Sequence, residues 1–323
     1  MPPTFADVEA AAARLAGQAV LTPLLPVQSL SEELRAKIYV KPEVLQRTGS
    51  FKFRGAFNKL SQLTEEQMQR GVVAYSSGNH AQGVAAAAKL LGIPATIVMP
   101  ADAPRIKLEN TRNYGAEVVT YDRYHEEREQ VAAPLVAAGR TLVRPYDDPA
   151  IMAGQGTVGL EIAQQAKALG LKVDRVIVPC GGGGLTAGIA TAMTALLPNA
   201  KLNTAEPRDF DDTARSLKAG ERVGNDPNAR SICDALLAAT PGELTFAVNR
   251  KRVEAGLVAD DREVGRAMAY AFNRLKLVVE PGGAIALAAL LAGRVKVTGE
   301  TVVVVLSGGN VDAATFEKVL SQS

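Results

Sequence analysis

The strongest constraint on the fold is an alternation of short β-branched runs with longer stretches rich in alanine and leucine. Eight runs are predicted as strands: 36–43, 71–77, 95–100, 117–121, 141–145, 175–180, 201–207 and 301–307. The stretches with apolar residues at helical spacing are 78–91, 103–114, 157–169, 185–197 and 262–275. Short strands separated by helices predict an α/β protein, with open, mostly parallel sheets covered by helices on both faces.

The length, net charge and cysteine content of the chain restrict its expected architecture, partners and cellular compartment. A chain of 323 residues is long for one core, so two lobes are expected. The net charge of +2, from 36 basic and 34 acidic residues, gives no reason to expect nucleic acid or a membrane as a partner. The only cysteines, Cys180 and Cys233, cannot build a disulfide framework, which favours a cytoplasmic protein.

Clusters of glycine, serine and polar residues follow several of the predicted strands. They are Ser76 to Asn79, Cys180 to Gly184, Glu280 to Gly283, and Ser307 to Asn310. Ligands of open α/β sheets bind at the carboxyl ends of strands. The four clusters therefore predict one crevice built from several loops.

The run PCGGGGLTAG reads as a strand, four glycines and a helix. Glycines let the backbone approach an anion closely, and a helix N-terminus offers free N–H groups, so a phosphate is the expected ligand. A dinucleotide fingerprint remains an alternative, because Gly182, Gly184 and Ala187 fit G-x-G-x-x-A and Glu206 lies near the end of the next strand. In that case the chain would be a nucleotide-binding module without enzymatic activity.

Lys52 in TGSFKFRG stands in the first turn of a predicted helix, with Thr48 or Ser50 as the N-cap. The helix dipole, the nearby Arg54 and burial beside Phe51 or Phe53 would all lower its pKa. A neutral amine can form a Schiff base with an aldehyde. An ordinary surface lysine is the alternative, but it leaves the phosphate loop unexplained.

A Schiff-base lysine together with a phosphate loop suggests pyridoxal phosphate. This cofactor also needs a partner for its ring oxygen, a partner for its pyridine nitrogen and a site for the substrate carboxylate. SSGNH at 76–80 and Ser307 in LSGGN supply suitable groups.

Six motifs, TGSFKFRGA, SSGNHAQGVA, GQGT, CGGGGLTAG, VEPGGA and LSGGN, resemble in order those of the serine/threonine dehydratase and serine racemase family. These are fold type II pyridoxal-phosphate enzymes. The resemblance implies a two-lobed fold like the tryptophan synthase β subunit, each lobe having an open, mostly parallel sheet flanked by helices. The expected large domain comprises residues 1–55 and 144–323, and the small domain residues 56–143.

The resemblance also implies roles for individual residues. Lys52 would hold the cofactor and act as the base at Cα, and Ser77 matches the second base of racemases. The residues implied to bind the cofactor are Lys52, Asn79, Gly181, Gly182, Gly183, Gly184, Leu185 and Ser307. Those implied to bind the substrate are Ser76, Ser77, Asn79 and His80.

A divalent cation accompanies the cofactor in part of this family. AEPRDFDD matches its ligand segment at Glu206, Phe210 and Asp212, whose carboxylate and carbonyl oxygens suit Mg²⁺ or Ca²⁺. An acidic surface loop is the alternative interpretation.

The activity implied is elimination of the β-hydroxyl of L-threonine or L-serine, giving a 2-oxo acid and ammonia. Racemisation of serine and dehydration of 3-hydroxyaspartate are the alternatives within the family, and a homodimer or homotetramer is expected. Two positions favour dehydration over racemisation. Tyr146 stands where racemases have an asparagine, and Ala238 stands where they have a substrate-binding serine. Arg128 aligns with a racemase substrate-binding arginine, although a solvated helix face is the interpretation favoured here.

Overall fold

The computed structural model describes residues 1–76, 78–103, 105–122 and 125–321 of the chain. Strands β1 to β10 span Leu25–Pro26, Lys37–Pro42, Val72–Tyr75, Ala95–Pro100, Glu117–Tyr121, Thr141–Leu142, Arg175–Pro179, Lys201–Pro207, Ala255–Ala259 and Thr301–Leu306. Helices α1 to α14 span Phe5–Leu15, Gln28–Leu34, Lys52–Leu60, Glu65–Arg70, Asn79–Leu91, Arg105–Asn113, Arg128–Ala137, Pro149–Ala168, Gly184–Leu196, Asp212–Ala219, Glu243–Arg252, Asp261–Tyr270, Pro281–Leu291 and Ala313–Ser321.

The larger sheet has the strand order β1-β2-β10-β7-β8-β9, and only β1 runs antiparallel to its neighbour. The central strand β10 reads TVVVVL, and all six residues are buried. Val302 and Val304 belong to one apolar cluster, whereas Val303 and Val305 belong to another. Because side chains alternate between the faces of a strand, both faces of this sheet are covered.

The smaller sheet has the order β5-β4-β3-β6, and all its pairs are parallel. Ile97 and Met99 of β4 pack into one cluster, and Val98 packs into a second cluster on the opposite face. The predicted α/β class with two mostly parallel sheets is therefore confirmed. The domain limits at 55/56 and 143/144 stay a prediction, although every strand of the smaller sheet lies within 72–142.

Helix α8 begins at Pro149, eight residues before the predicted start at 157. Asp148 is its N-cap, because the Asp148 carboxylate accepts hydrogen bonds from the N–H groups of Ala150 and Ile151 at 2.8 and 3.2 Å. Close packing explains why a glycine-containing stretch is helical here. A Cβ on Gly188 of α9 would lie only 2.3 Å from the Met152 carbonyl oxygen of α8.

The cluster at Glu280 to Gly283 does not follow a strand, which corrects the sequence prediction. The preceding helix α12 ends in a π-helical turn at Ala271–Leu275. Lys276 then adopts a left-handed conformation with φ 59°, and irregular backbone leads to Glu280, the N-cap of α13. The other three clusters do lie where β3, β7 and β10 end.

None of the helices within the described part of the chain has the length and apolar character needed to span a membrane.

Candidate active site

One cavity of about 320 Å³ lies where the loops after β3, β7 and β10 meet. Most residues that the sequence predicts for the cofactor and substrate line it: Lys52, Ser76, Asn79, His80, Gly181, Gly182, Gly183, Gly184, Leu185 and Ser307. Ser77, the predicted second base, lies outside the described residues. The predicted metal residues belong to a separate segment.

Lys52 is the first residue of α3, and its N-cap is Phe51 rather than Thr48 or Ser50. Thr48 is unavailable because it adopts a left-handed conformation with φ 65° in the preceding turn. The Lys52 Nζ donates a hydrogen bond of 2.7 Å to the Pro145 carbonyl oxygen. Burial lowers the pKa of Lys52 to about 8, against the opposing charge of Glu280. About a tenth of the amine is therefore neutral at pH 7, far more than for an ordinary lysine.

Arg54 does not act on Lys52 in the way the sequence suggested. Its side chain is 1% exposed, and its guanidinium donates to Glu43 at 2.7 and 2.8 Å and to Glu161 at 2.5 and 2.9 Å. Lys41 donates to the same Glu161 at 2.6 Å. The Arg54 charge is thus balanced by two carboxylates, and the network ties α3 to the end of β2 and to α8.

The four glycines after β7 form a loop whose shape depends on having no side chains. Gly183 has φ 89°, and a Cβ there would lie 2.9 Å from the Asn249 Nδ2. On the α11 side, Thr245 Oγ1 donates to the Gly182 carbonyl at 2.7 Å, and Asn249 Nδ2 donates to the Gly183 carbonyl at 3.3 Å. In a trans peptide the following N–H points the opposite way, so the N–H groups of Gly183 and Gly184 point away from α11. The loop fits a phosphate at the start of α9.

Asn79 and His80 begin α5, directly after β3 and its loop. Asn79 Nδ2 donates to the Glu280 Oε1 at 2.5 Å, and Asn79 Oδ1 accepts from the Asn310 Nδ2 at 2.7 Å. His80 Nε2 donates to the Val143 carbonyl oxygen at 2.9 Å. Burial and the charge of Lys52 lower the pKa of His80 to about 3, so its ring is neutral. Ser76 Oγ accepts from the Gly78 N–H at 3.2 Å.

Ser307 follows β10 and is 4% exposed. Its carbonyl oxygen accepts from the Phe51 N–H at 3.1 Å, and Gly309 N–H donates to the Gly49 carbonyl at 2.9 Å. The loop that carries Ser307 is therefore hydrogen-bonded to the segment that precedes Lys52. Both predicted cofactor residues lie in the same cavity.

Several residues of the cavity were not assigned from the sequence. Glu280 is buried, and burial together with the charge of Asp234 raises its pKa to about 7. Lys107 Nζ pairs with the Asp234 Oδ2 at 2.5 Å across the cavity wall. Of these residues, Glu280 was the easiest to find from the sequence, because it directly precedes the Pro-Gly-Gly that opens α13.

Arg128 lies on an exposed helix face, as the sequence suggested, and it also lines the cavity. It begins α7, and its guanidinium carbon lies 4.9 Å from the centre of the Tyr75 ring. The side chain is half exposed and also pairs with Glu129 at 3.0 Å. Arg128 therefore presents a positive charge at the cavity without being enclosed in it.

The predicted metal segment is only partly arranged as a cation site. Glu206 accepts hydrogen bonds of 2.8 Å from the N–H groups of Thr213 and Ala214, at the start of α10. Asp212 Oδ1 accepts from the Asn225 Nδ2 at 2.8 Å, while the buried Oδ2 has no hydrogen-bond partner within the described part of the chain. Burial raises the pKa of both carboxyls, to about 6 for Asp212. Phe210 is buried.

A protein family described as "Pyridoxal-phosphate dependent enzyme" matches residues 16–308. The chain is 42% identical over 321 residues to the L-threo-3-hydroxyaspartate ammonia-lyase of Saccharomyces cerevisiae, covering 99% of this chain and 97% of the relative. It is 39% identical to the serine racemase of Schizosaccharomyces pombe, with 99% and 98% covered.

A solved structure titled as a threonine deaminase from T.th. superposes with a TM-score of 0.90 at 43% identity, covering 96% of this chain and 99% of that one. The partly buried amine of Lys52 and the glycine loop, which leaves no room for side chains, fit an aldehyde cofactor with a phosphate group. The family match, the relatives and the geometry agree, and the chain belongs to the pyridoxal-phosphate-dependent enzymes, within the group of ammonia-lyases, dehydratases and serine racemases.

Proposed function

We propose that the chain is an ammonia-lyase that eliminates the β-hydroxyl group of a small L-amino acid. The observation that carries this proposal is the placement of a partly buried lysine amine, with a pKa of about 8, in one cavity with a glycine loop at a helix N-terminus. The alternative of a non-enzymatic nucleotide module leaves this amine without a role.

The residues that would hold the cofactor surround the cavity. Backbone N–H groups of Gly181, Gly182, Gly183, Gly184 and Leu185 would bind its phosphate, and Lys52 its aldehyde carbon. Asn79 would bind the ring oxygen, and Ser307 the pyridine nitrogen. When bound, pyridoxal phosphate supplies an electron sink that stabilises negative charge at the substrate Cα.

Lys52 Nζ is the base that would remove the proton from the substrate Cα. Its lowered pKa keeps part of the amine neutral and able to accept a proton. The substrate carboxylate would lie at the N-terminus of α5, where Ser76 and Asn79 offer donors and the helix dipole favours an anion. Ser77 is proposed as a further donor on the ground of the sequence alone. The neutral His80 would shape this loop rather than neutralise the carboxylate, because its Nε2 hydrogen is donated to Val143.

L-threo-3-Hydroxyaspartate is the substrate that this cavity supports best. Arg128 lies at the cavity with a guanidinium that can bind a second carboxylate in a bidentate manner. The 42% identical relative carries the name of that activity. L-Threonine and L-serine are a second candidate pair, because Tyr146, Leu237 and Ala238 form an apolar part of the lining that suits a methyl group.

Replacing Arg128 with methionine tests the substrate. We expect kcat/KM for L-threo-3-hydroxyaspartate to fall about 100-fold, because one partner of a charge pair is lost. The value for L-serine should change less than about threefold, since serine has no second carboxylate. Formation of 2-oxo acid and ammonia measures elimination, and chiral analysis of the remaining serine measures racemisation.

The matched control is Arg208→Met, which removes an exposed arginine that pairs with Asp260 away from the cavity. An equal loss on both substrates would contradict the role of Arg128. If the wild-type protein prefers L-threonine to L-threo-3-hydroxyaspartate, L-threonine and L-serine are its substrates. Faster inversion of serine than pyruvate formation would make the protein a racemase.

We also propose that Glu206, Phe210 and Asp212 bind Mg²⁺ or Ca²⁺. Support comes from the unpartnered Oδ2 of Asp212 and from the raised pKa values of two neighbouring carboxyls, which a cation would lower. Among the described residues, no group of three or more histidine, cysteine or acidic side chains is arranged to hold a metal, so the carbonyl oxygen of Phe210 and water would have to complete the site.

Metal addition after chelation should raise the melting temperature by about 5 °C at roughly 100 times the dissociation constant, since the ion binds only the folded state. Glu206→Gln should remove the response. Asp211→Asn is the control, because Asp211 pairs with Arg215 on the surface and should leave the response intact. If the wild-type protein has the same melting temperature with and without either ion, this segment is an acidic loop that binds no metal.

We further propose a homodimer or homotetramer in the cytoplasm. Large exposed apolar side chains such as Phe272 and Val278 support an interface between copies, and two free buried cysteines suit a reducing compartment. Sedimentation of the holoenzyme measures the assembly.

A further inference from the structure

The hydroxyl group of Tyr146 has no part in the roles described so far. Tyr146 follows Pro145, whose carbonyl oxygen accepts the hydrogen bond of 2.7 Å from Lys52 Nζ. A Cβ placed on Gly182 would lie 2.4 Å from Cε1 and Cζ of the Tyr146 ring. The ring carbon that bears the hydroxyl therefore contacts the glycine loop, and the backbone beside the ring holds the reactive amine.

Elimination of a β-hydroxyl group needs a proton donor as well as a base. Hydroxide is a poor leaving group, since the pKa of water is about 15.7, and departure as water requires an acid near the β-oxygen. Lys52 Nζ takes the Cα proton and becomes an acid only after that transfer. A second group in the same cavity that is protonated from the start can donate while the bond from Cα to hydrogen breaks.

His80, Lys107 and Glu280 are less suited to this task, and Tyr75, the other phenol that lines the cavity, packs on the Arg128 guanidinium. His80 is neutral and donates its Nε2 hydrogen to Val143, and Lys107 is paired with Asp234. Glu280 is the main competitor, because its pKa is about 7, but its Oε1 accepts from Asn79 on the side of the ring-oxygen site.

The surroundings of Tyr146 keep it protonated. Burial raises the pKa of Tyr146, and the charges of Asp147, Tyr75 and Asp212 act in the same direction, while Arg128 lowers it. A phenol of this kind is protonated at neutral pH and remains a stronger acid than water.

We propose that Tyr146 is the catalytic acid that protonates the leaving β-hydroxyl group. The proposal rests on the proposed elimination. Lys52 Nζ takes the Cα proton, the bond between Cβ and oxygen breaks with its electron pair going to oxygen, and the Tyr146 Oη gives its proton to that oxygen, so that water leaves. The proton carried by Lys52 restores the phenol through solvent, and no further reactant is consumed.

The test compares two substrates that differ only in the leaving group. β-Chloro-L-alanine loses chloride, which needs no proton, whereas L-serine loses water. Tyr146→Phe should lower kcat on L-serine about 100-fold and change kcat on β-chloro-L-alanine less than about threefold. The cofactor dissociation constant and the melting temperature should stay at the wild-type values, because the ring that packs on Gly182 is retained.

Tyr270→Phe is the matched control, since it removes a phenol hydroxyl that contacts Ser29 outside the cavity. Equal losses on both substrates, or none on either, would overturn the proposal. A selective loss on L-serine in Glu280→Gln instead would identify Glu280 as the acid. Wild-type protein that eliminates neither leaving group would refute the proposed function itself.

A measurement on the wild-type enzyme covers the case in which the variant fails to fold. On the alkaline side, kcat for L-serine should fall as Tyr146 loses its proton, while kcat for β-chloro-L-alanine should not. Parallel profiles for the two substrates would exclude Tyr146 as the acid.

Discussion

Lys52→Ala is expected to lower turnover by about 10⁴-fold or more and to abolish the visible absorbance of the bound cofactor. The variant removes both the attachment point for the aldehyde and the base at Cα. The fold should persist, because alanine is the best helix former and Lys52 is the first residue of α3. Far-ultraviolet circular dichroism and the cofactor absorbance check the two expectations separately.

The control is Lys59→Ala, on the same helix, where Lys59 pairs with Asp148 near the surface. Full activity of Lys52→Ala would contradict the central assignment. Cofactor-free protein gives a further check. Its rate of pyridoxal phosphate capture should rise with pH through about 8, because only the neutral amine of Lys52 attacks the aldehyde.

Gly183→Ala should weaken binding of pyridoxal phosphate about 100-fold, measured by titrating cofactor-free protein. Alanine is strained at φ 89°, and its Cβ would lie 2.9 Å from Asn249 Nδ2 and 3.0 Å from Thr245 Oγ1. The loop must then move away from α11, which turns its N–H groups out of the positions that fit a phosphate.

Gly170→Ala is the control for Gly183→Ala, because it introduces backbone strain without changing the glycine loop. Gly170 also has a positive φ of 64°, but a Cβ there meets no atom within 4 Å, and the residue lies away from the cavity. The free energy of unfolding of this variant should fall by about 1 kcal/mol, while its affinity for pyridoxal phosphate should be unchanged. Equal cofactor affinity in Gly183→Ala and Gly170→Ala would rule out the loop as the phosphate site.

Strand bounds were predictable where an extended run stands out from the helical stretches around it. The bounds of β4, β5 and β8 are as predicted, although β5 is an edge strand that is only partly buried. Strand β9 was missed, since AGLVA contains a glycine and only one β-branched residue. The start of α8 was missed because glycine has a low helix propensity. The first turns of α8 are helical nevertheless, because their glycines allow close packing against α9.

The candidate site was predictable where backbone motifs carry it. Lys52, the glycine loop, Asn79 and Ser307 lie in one cavity, as expected. Side chains that arrive from distant segments were not predictable, since a sequence does not show which partner each finds. Arg54 is neutralised by Glu43 and Glu161, and Arg128 reaches the cavity from the start of α7.

The buried charges around Arg54 connect residues far apart along the chain. The bond from Arg54 to Glu161 spans 107 positions, and that from Lys41 to Glu161 spans 120. Contacts at such separation form late in folding, because the chain must first close long loops. A nascent or refolding chain can thus acquire its helices well before α3 is fixed, so capture of the cofactor would report completion of the tertiary structure rather than formation of local structure.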